Sequence, residues 1–122
     1  MTKKEFHQMG MVVALLKAKT HKRVTVVIPN LHKADFVINQ LTSYLRGCSV
    51  YRGLPKTIEY NDAIAMRFFT FDRLVYAQGV ESDILWIMGP APPGKPWQSY
   101  GHSLIALNRQ GPNPLVLIGD SM

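Results

Sequence analysis

Val24-Thr25-Val26-Val27-Ile28-Pro29-Asn30 is the stretch on which the fold turns. Five β-branched residues follow one another with no polar alternation, so both faces of the strand are buried. That is the pattern of a central parallel strand, not of a half-solvated antiparallel one. Pro29 stops the ladder, and Asn30 has the side chain to cap a helix, predicted over Leu31 to Arg46. Its apolar stripe is Ala34, Val37, Ile38, Leu41 and Leu45, and Gly47 follows as the stop.

Upstream, Glu5 to Lys19 reads as a helix, with Phe6, Met9, Val13 and Leu16 at spacings of three or four. Gly10 weakens it by about 1 kcal/mol. Downstream, Cys48 to Tyr51 is a short strand. Thr57 to Tyr60 and Ala63 to Phe71 flank Asn61-Asp62 and form a hairpin. Phe71 to Gly79 is a helical turn or loop. Ile84 to Met88, introduced by Asp83, is a second buried strand. Gly89 to Pro96 holds four prolines and has no regular structure. Trp97 to Gln110 is a predicted helix, and Leu115 to Ile118 a third buried strand, with Ile118 and Val26 expected in neighbouring strands. The alternation predicts one α/β domain over residues 1–122: three layers, with a mostly parallel sheet of three to five strands and one hairpin.

The chain has 122 residues and is 47% hydrophobic, enough for a core and too apolar for disorder. No apolar run reaches the about 18 residues of a membrane span, and no secretory leader pattern is present. A lone Cys48 excludes an internal disulfide and a cysteine-based zinc site, and the expected compartment is the cytoplasm. Cys48 reads as packing. His7, His21, His32 and His102 show no ligand spacing beyond a loose pair, His21 and His32, so no metal or cofactor is expected. Ser99, His102 and Ser103 lack a nucleophile elbow. Asp72, Glu81 and Asp83 are the candidates for an acidic cluster, though each adjoins a turn, where carboxylates are routine.

Charge is more informative. The net is +6, but residues 1–56 hold ten Lys/Arg against Glu5 and Asp35, a net of +8. Residues 57–122 hold four against six, a net of −2. A basic half suits a polyanion, and it also suits a merely soluble surface. The candidate nucleic-acid contacts are Lys17, Lys19, Lys22, Arg23, Lys33, Arg46, Arg52 and Lys56, with Tyr51 to stack a base; Tyr44 and Tyr60 are also interleaved with these cations. An acidic protein is the alternative partner.

In open α/β sheets ligands sit outside the carboxyl ends of the strands. The candidate pocket is therefore Asn30, Gly89, Gly94, Lys95 and Asp120. Gly89-Pro-Ala-Pro-Pro-Gly94-Lys95-Pro96 has the spacing of a phosphate loop between a strand and a helix. Its chemistry is wrong, because Pro90, Pro92 and Pro93 have no N–H to aim at a phosphate, and Pro96 stands where a magnesium-binding hydroxyl is needed.

Most of the chain resembles the ATPase core shared by helicases and viral DNA-packaging terminases. Met9 to Lys19 resembles the helix after their phosphate loop. Val24 to Asn30 resembles the next strand with its Pro-Asn ending. The hairpin, then Gly79, Asp83 and Ile84 to Met88, resembles the approach to their acidic strand. Trp97 to Arg109 and Leu115 to Asp120 resemble the following helix and strand. Residues 1–8, however, hold no strand and no glycine-rich lysine loop, and Gly89-Pro90 stands where the family has Asp-Glu. The resemblance implies a degenerate nucleotidase fold in a nucleic-acid or assembly setting, and argues against ATP hydrolysis.

The expected function is a non-catalytic binding protein, a viral or mobile-element accessory factor. The alternatives are a small enzyme acting on a phosphorylated molecule at Asn30, Lys95 and Asp120, and a protein inhibitor or assembly subunit. A missing first strand leaves a sheet edge open, so a homodimer is expected.

Overall fold

The structure is a computed structural model that describes residues 1–77, 81–90, 106–107 and 113–119. Helix α1 spans Lys3–Ala18. Thr2 caps it in a reciprocal box: Glu5 N–H donates to Thr2 Oγ1, and Thr2 N–H donates to Glu5 Oε1, each at 3.2 Å. The helix ends at Lys19, whose φ of 60° is left-handed. Met9, Val12, Val13 and Leu16 are buried.

Strand β1 (Val24–Ile28) is buried at every residue, as its unbroken β-branched run requires. Helix α2 spans Leu31–Thr42, with Lys33 N–H donating to Asn30 Oδ1 at 2.8 Å. It stops short of the predicted Arg46. Thr42 Oγ1 donates to Asn39 O and Ser43 Oγ to Gln40 O, so hydroxyls occupy the last carbonyls and compete with helix continuation. Leu45 is nevertheless buried.

Strands β2 (Ser49–Tyr51), β3 (Lys56–Tyr60) and β4 (Ala63–Thr70) form the antiparallel part. Asn61 and Asp62 have φ of 56° and 62°, which suits the twist of a tight two-residue hairpin turn. A 3₁₀ segment, Phe71–Ala77, follows with a kink at Arg73. Then come β5 (Glu81–Ser82), β6 (Ile84–Ile87), β7 (Ala106–Leu107) and β8 (Leu115–Ile118).

The main sheet has six strands in the order β2-β3-β4-β1-β6-β8. β4, β1, β6 and β8 are mutually parallel, and β5 with β7 makes a separate parallel pair. Six strands exceed the expected three to five, because the hairpin joins the parallel core instead of standing beside it. The helices lie on one face, over Val24, Val26, Ile28, Met66, Phe68, Ile84 and Trp86. The 3₁₀ segment covers the other, over Val27, Phe69, Leu85 and Ile87. The result is the expected three-layer α/β arrangement.

Three expectations are corrected. Ala106–Leu107, inside the predicted helix Trp97 to Gln110, is a strand paired with Glu81–Ser82; the rest of that helix lies outside the described residues. Leu115–Ile118 is half-buried, because it is the last strand of the sheet among the described residues. Val26 and Ile118 are not in neighbouring strands, since β6 runs between them.

Polar groups fix the layers. Trp86 is fully buried and its indole N–H donates to Gln8 Oε1 at 3.0 Å. Gln8 Nε2 donates to Ile118 O at 2.9 Å, so one side chain ties α1 to both β6 and β8. Asp83 Oδ2 accepts from the N–H groups of Lys22 and Arg23 at 2.8 and 3.0 Å and fastens the start of β1 to that of β6.

Candidate functional site

The carboxyl ends of β1, β6 and β8 converge, as the parallel sheet predicts, but they converge on a side chain. Glu5 in the first turn of α1 is fully buried there. Its Oε2 accepts from Gly89 N–H at 3.1 Å, and Lys33 Nζ donates to its two oxygens at 3.1 and 3.3 Å. Lys33 Nζ also donates to Gly89 O. Gly119 passes so close that a Cβ there would lie 2.5 Å from Glu5 Oε2. A carboxylate at the amino end of α1, where the helix dipole favours negative charge, thus fills the ground between the strand ends. Of the candidate pocket residues, Asn30 serves as the cap of α2 and Gly89 as a partner of both Glu5 and Lys33. Gly94, Lys95 and Asp120 lie outside the described residues.

The basic residues divide between the two ends of the sheet. β1 has five residues at about 3.3 Å each, so these ends are roughly 16 Å apart. At the carboxyl end, Lys33 is held by Glu5, while Arg52 Nη1 and Lys56 Nζ share Asp35 Oδ1 at 2.9 and 2.8 Å. The Lys56 hydrogen bond, helped by the charges of Lys56 and Arg52, holds the Asp35 carboxyl below its usual range. At the amino end of the parallel strands stand Lys17, Lys19, Lys22 and Arg23, with Arg46 after α2 at that same end. Arg23 reaches Glu81 at 3.6 Å. Lys17, Lys19, Lys22 and Arg46 are exposed and form no ion pair among the described residues.

Lys19 and Lys22 line a cavity of about 290 Å³ with Leu16, Tyr60, Asn61 and Ala65. It lies where the end of α1 meets the hairpin turn. Tyr51 is 61% exposed on edge strand β2, with its ring over Gly53; Tyr44 is exposed and Tyr60 half-buried.

The other candidates have structural partners. His21 is buried between Thr20 Oγ1 and Asn113 O, at 3.1 and 3.0 Å. Cys48 is half-buried against the core. Asp72 follows the carboxyl end of β4, whereas Glu81 and Asp83 stand at the amino end of β6, so these three do not cluster. No group of three or more His, Cys, Asp or Glu among the described residues could hold a metal.

Sequence reasoning missed Glu5 as the residue at the strand ends. The spacing Thr2-x-x-Glu5 was the available signal, since a capping-box glutamate lies over a helix amino end. It also missed a second cavity, at the carboxyl end of β4, which carries no motif.

No protein-family model matches the sequence, and no curated protein matches it. The fold does have a counterpart. It is similar to a chain of the bacteriophage Phi-29 viral genome packaging motor assembly, with a TM-score of 0.58 and 8% identity. The likeness is one of fold. It covers 93% of this chain and 39% of the other, so this chain spans well under half the length of that packaging-motor chain. The sequence likewise points to an α/β fold of the kind found in viral packaging proteins, and the likeness agrees with it at that level. Among the described residues, no helix is long and apolar enough to cross a membrane.

Proposed function

We propose that this chain is a non-catalytic binding component of a nucleic-acid-handling assembly, and that it meets the phosphate backbone with the amino end of its parallel sheet. The observation that carries the reading is the division of charge. Lys33 is held by the buried Glu5, and Arg52 and Lys56 share the partly exposed Asp35, whereas Lys17, Lys19, Lys22 and Arg46 stand exposed without an ion pair among the described residues, Lys19 and Lys22 on the wall of a concave surface. Likeness in fold to a chain of a viral packaging motor supports the setting.

The Glu5–Lys33 pair supports the non-catalytic part. A phosphate brought to the carboxyl ends of these strands would meet a fixed carboxylate, and the donors beside it, Lys33 Nζ and Gly89 N–H, already donate to that carboxylate. We propose that the chain does not turn over Mg-ATP. Steady hydrolysis by pure protein, lost in Lys33→Ala, would contradict this.

The test of binding is fluorescence anisotropy with duplex and single-stranded DNA across a salt series. Binding is expected to tolerate sequence and to weaken with salt by about 0.9 log units per phosphate contact for each log unit of salt on duplex. Lys19→Ala with Lys22→Ala lowers that slope by about two if both touch phosphates. If no nucleic acid binds at micromolar protein, an acidic protein becomes the partner of this face. A homodimer through a sheet edge belongs to the same proposal, and light scattering at about twice the 13.8 kDa chain mass is its check.

A further inference from the structure

A cavity of about 220 Å³ opens at the carboxyl end of β4, where β4 runs into the 3₁₀ segment. Its walls include Phe68, Phe69 and Thr70, all buried. Leu31, Leu54 and Tyr76 also line it, and each is a large apolar or aromatic side chain left 41%, 57% and 68% exposed. Three such groups from three separate elements gather at one opening. Singly exposed apolar residues are ordinary, but a cluster around a concavity marks a binding site.

The polar groups narrow the ligand. Thr70 is 7% exposed, and its hydroxyl has no well-formed hydrogen bond among the described residues. It stands close enough to Asp72 to help hold that carboxyl below its usual range. Asp72 can accept a hydrogen bond from the one proton of this hydroxyl, which leaves the buried oxygen as an acceptor, and a hydrocarbon occupant would leave that acceptor unsatisfied. Arg73 lines the same cavity and is exposed. The loop that supplies Leu54 is flanked by Arg52 and Lys56, two cations sharing the single charge of Asp35. Asp72 stands beside Arg73, so the three cations Arg52, Lys56 and Arg73 face two carboxylates, Asp35 and Asp72, and the excess of one positive charge favours a single anionic group beside an apolar, hydrogen-bonding ring. The volume is several times the about 30 Å³ of one water. It lies below the about 300 Å³ at which drug-sized sites begin, so it suits one ring system.

We propose that this cavity binds a single unstacked nucleobase, with the Thr70 hydroxyl on the base edge and Arg73 near the attached phosphate. The site is separate from the lysine end of the sheet and stands whether or not that end binds nucleic acid. A free nucleotide and a nucleotide within a single strand present the same chemistry.

The experiment is an NMR titration of the ¹⁵N-labelled full chain with the four nucleoside monophosphates and the corresponding nucleosides, with a short oligothymidylate, and with N-acetyltryptophanamide. We expect saturable shifts at the amides of Phe69, Thr70 and Tyr76. Thr70→Val keeps the side-chain shape and removes the hydroxyl. It is expected to weaken nucleotide binding about tenfold in a variant that still gives the dispersed amide spectrum of the folded chain. Arg73→Ala is expected to weaken the monophosphates and leave the nucleosides unchanged. Tighter binding of oligothymidylate than of thymidine monophosphate assigns the site to a strand, and equal binding assigns it to a free nucleotide. With the monophosphates, the Lys19→Ala, Lys22→Ala variant should give the same shifts at Phe69, Thr70 and Tyr76, which keeps this site distinguishable from the lysine end. The proposal is overturned by no shifts up to ~10 mM nucleotide, by unchanged binding in Thr70→Val, or by N-acetyltryptophanamide binding more tightly than every nucleotide.

Discussion

The Lys33 ammonium lies 3.1 and 3.3 Å from the two carboxylate oxygens of Glu5, and the two side chains are 18% and 1% exposed. The pair joins the first turn of α1 to the first turn of α2 over the carboxyl ends of three parallel strands. Ground that an open sheet of this kind leaves for a ligand is therefore taken up by an internal contact.

Glu5→Gln keeps the shape but leaves the Lys33 charge without a counter-charge in a mostly buried place. Breaking one partner of a buried pair costs about 3–5 kcal/mol, and removing both costs much less. Urea unfolding is expected to show a loss in that range for Glu5→Gln and a partial recovery in the Glu5→Gln, Lys33→Met double variant.

Gly119→Ala places a methyl 2.5 Å from Glu5 Oε2, against a side chain with no room to withdraw. Overpacking of this kind costs about 1–3 kcal/mol. The loss should shrink when Glu5→Ala is added, and equal losses in both backgrounds would show that Gly119 matters for another reason.

Asp83→Ala removes the acceptor of the Lys22 and Arg23 backbone N–H groups. Two donors then lack that partner at the start of the central strand, at a cost of about 1–3 kcal/mol for a group left unsatisfied. Hydrogen exchange of those two amides should quicken more than exchange in the middle of β1.

Asp35 has a lowered carboxyl pKa, chiefly through its hydrogen bond from Lys56. A depressed carboxylate stabilises the fold above its unfolded value, near pH 4, and that stability is lost as the pH falls through the folded value. Asp35→Asn should therefore melt lower than the parent at pH 7, with the gap closing towards pH 3. A gap constant with pH would contradict the ion pair as its source.

Much of the fold was legible because it rests on local chemistry. The unbroken run Val24 to Ile28 announces a strand buried on both faces, and Asn30 and Asn61-Asp62 announce a cap and a turn. The early end of α2 was not legible, since Gly47 gave a clear stop signal while the hydroxyls of Thr42 and Ser43 could have pointed to solvent. The number of strands in the main sheet was missed because no local signal says that the hairpin and the short strand Ser49–Tyr51 join the parallel core. At the strand ends, the position of the site was legible from topology but its content was not. Glu5 and Lys33 are 28 positions apart, and no sequence period links them. Lys56 and Arg52 read as free cations until the fold brings Asp35 against both. The cavity at Thr70 draws on four separate stretches of chain and has no motif at all.

The central claim is that the exposed lysine end, and not the ion-paired end, meets the duplex phosphate backbone. Its most direct test is the salt dependence of duplex DNA binding in two variants of the full chain. One carries Lys17→Ala, Lys19→Ala, Lys22→Ala and Arg46→Ala; the other carries Arg52→Ala and Lys56→Ala. The account predicts that the first loses most of the parent slope, at about 0.9 per phosphate contact, while the second keeps it. An unchanged slope in the first variant, or a larger loss in the second, would contradict it.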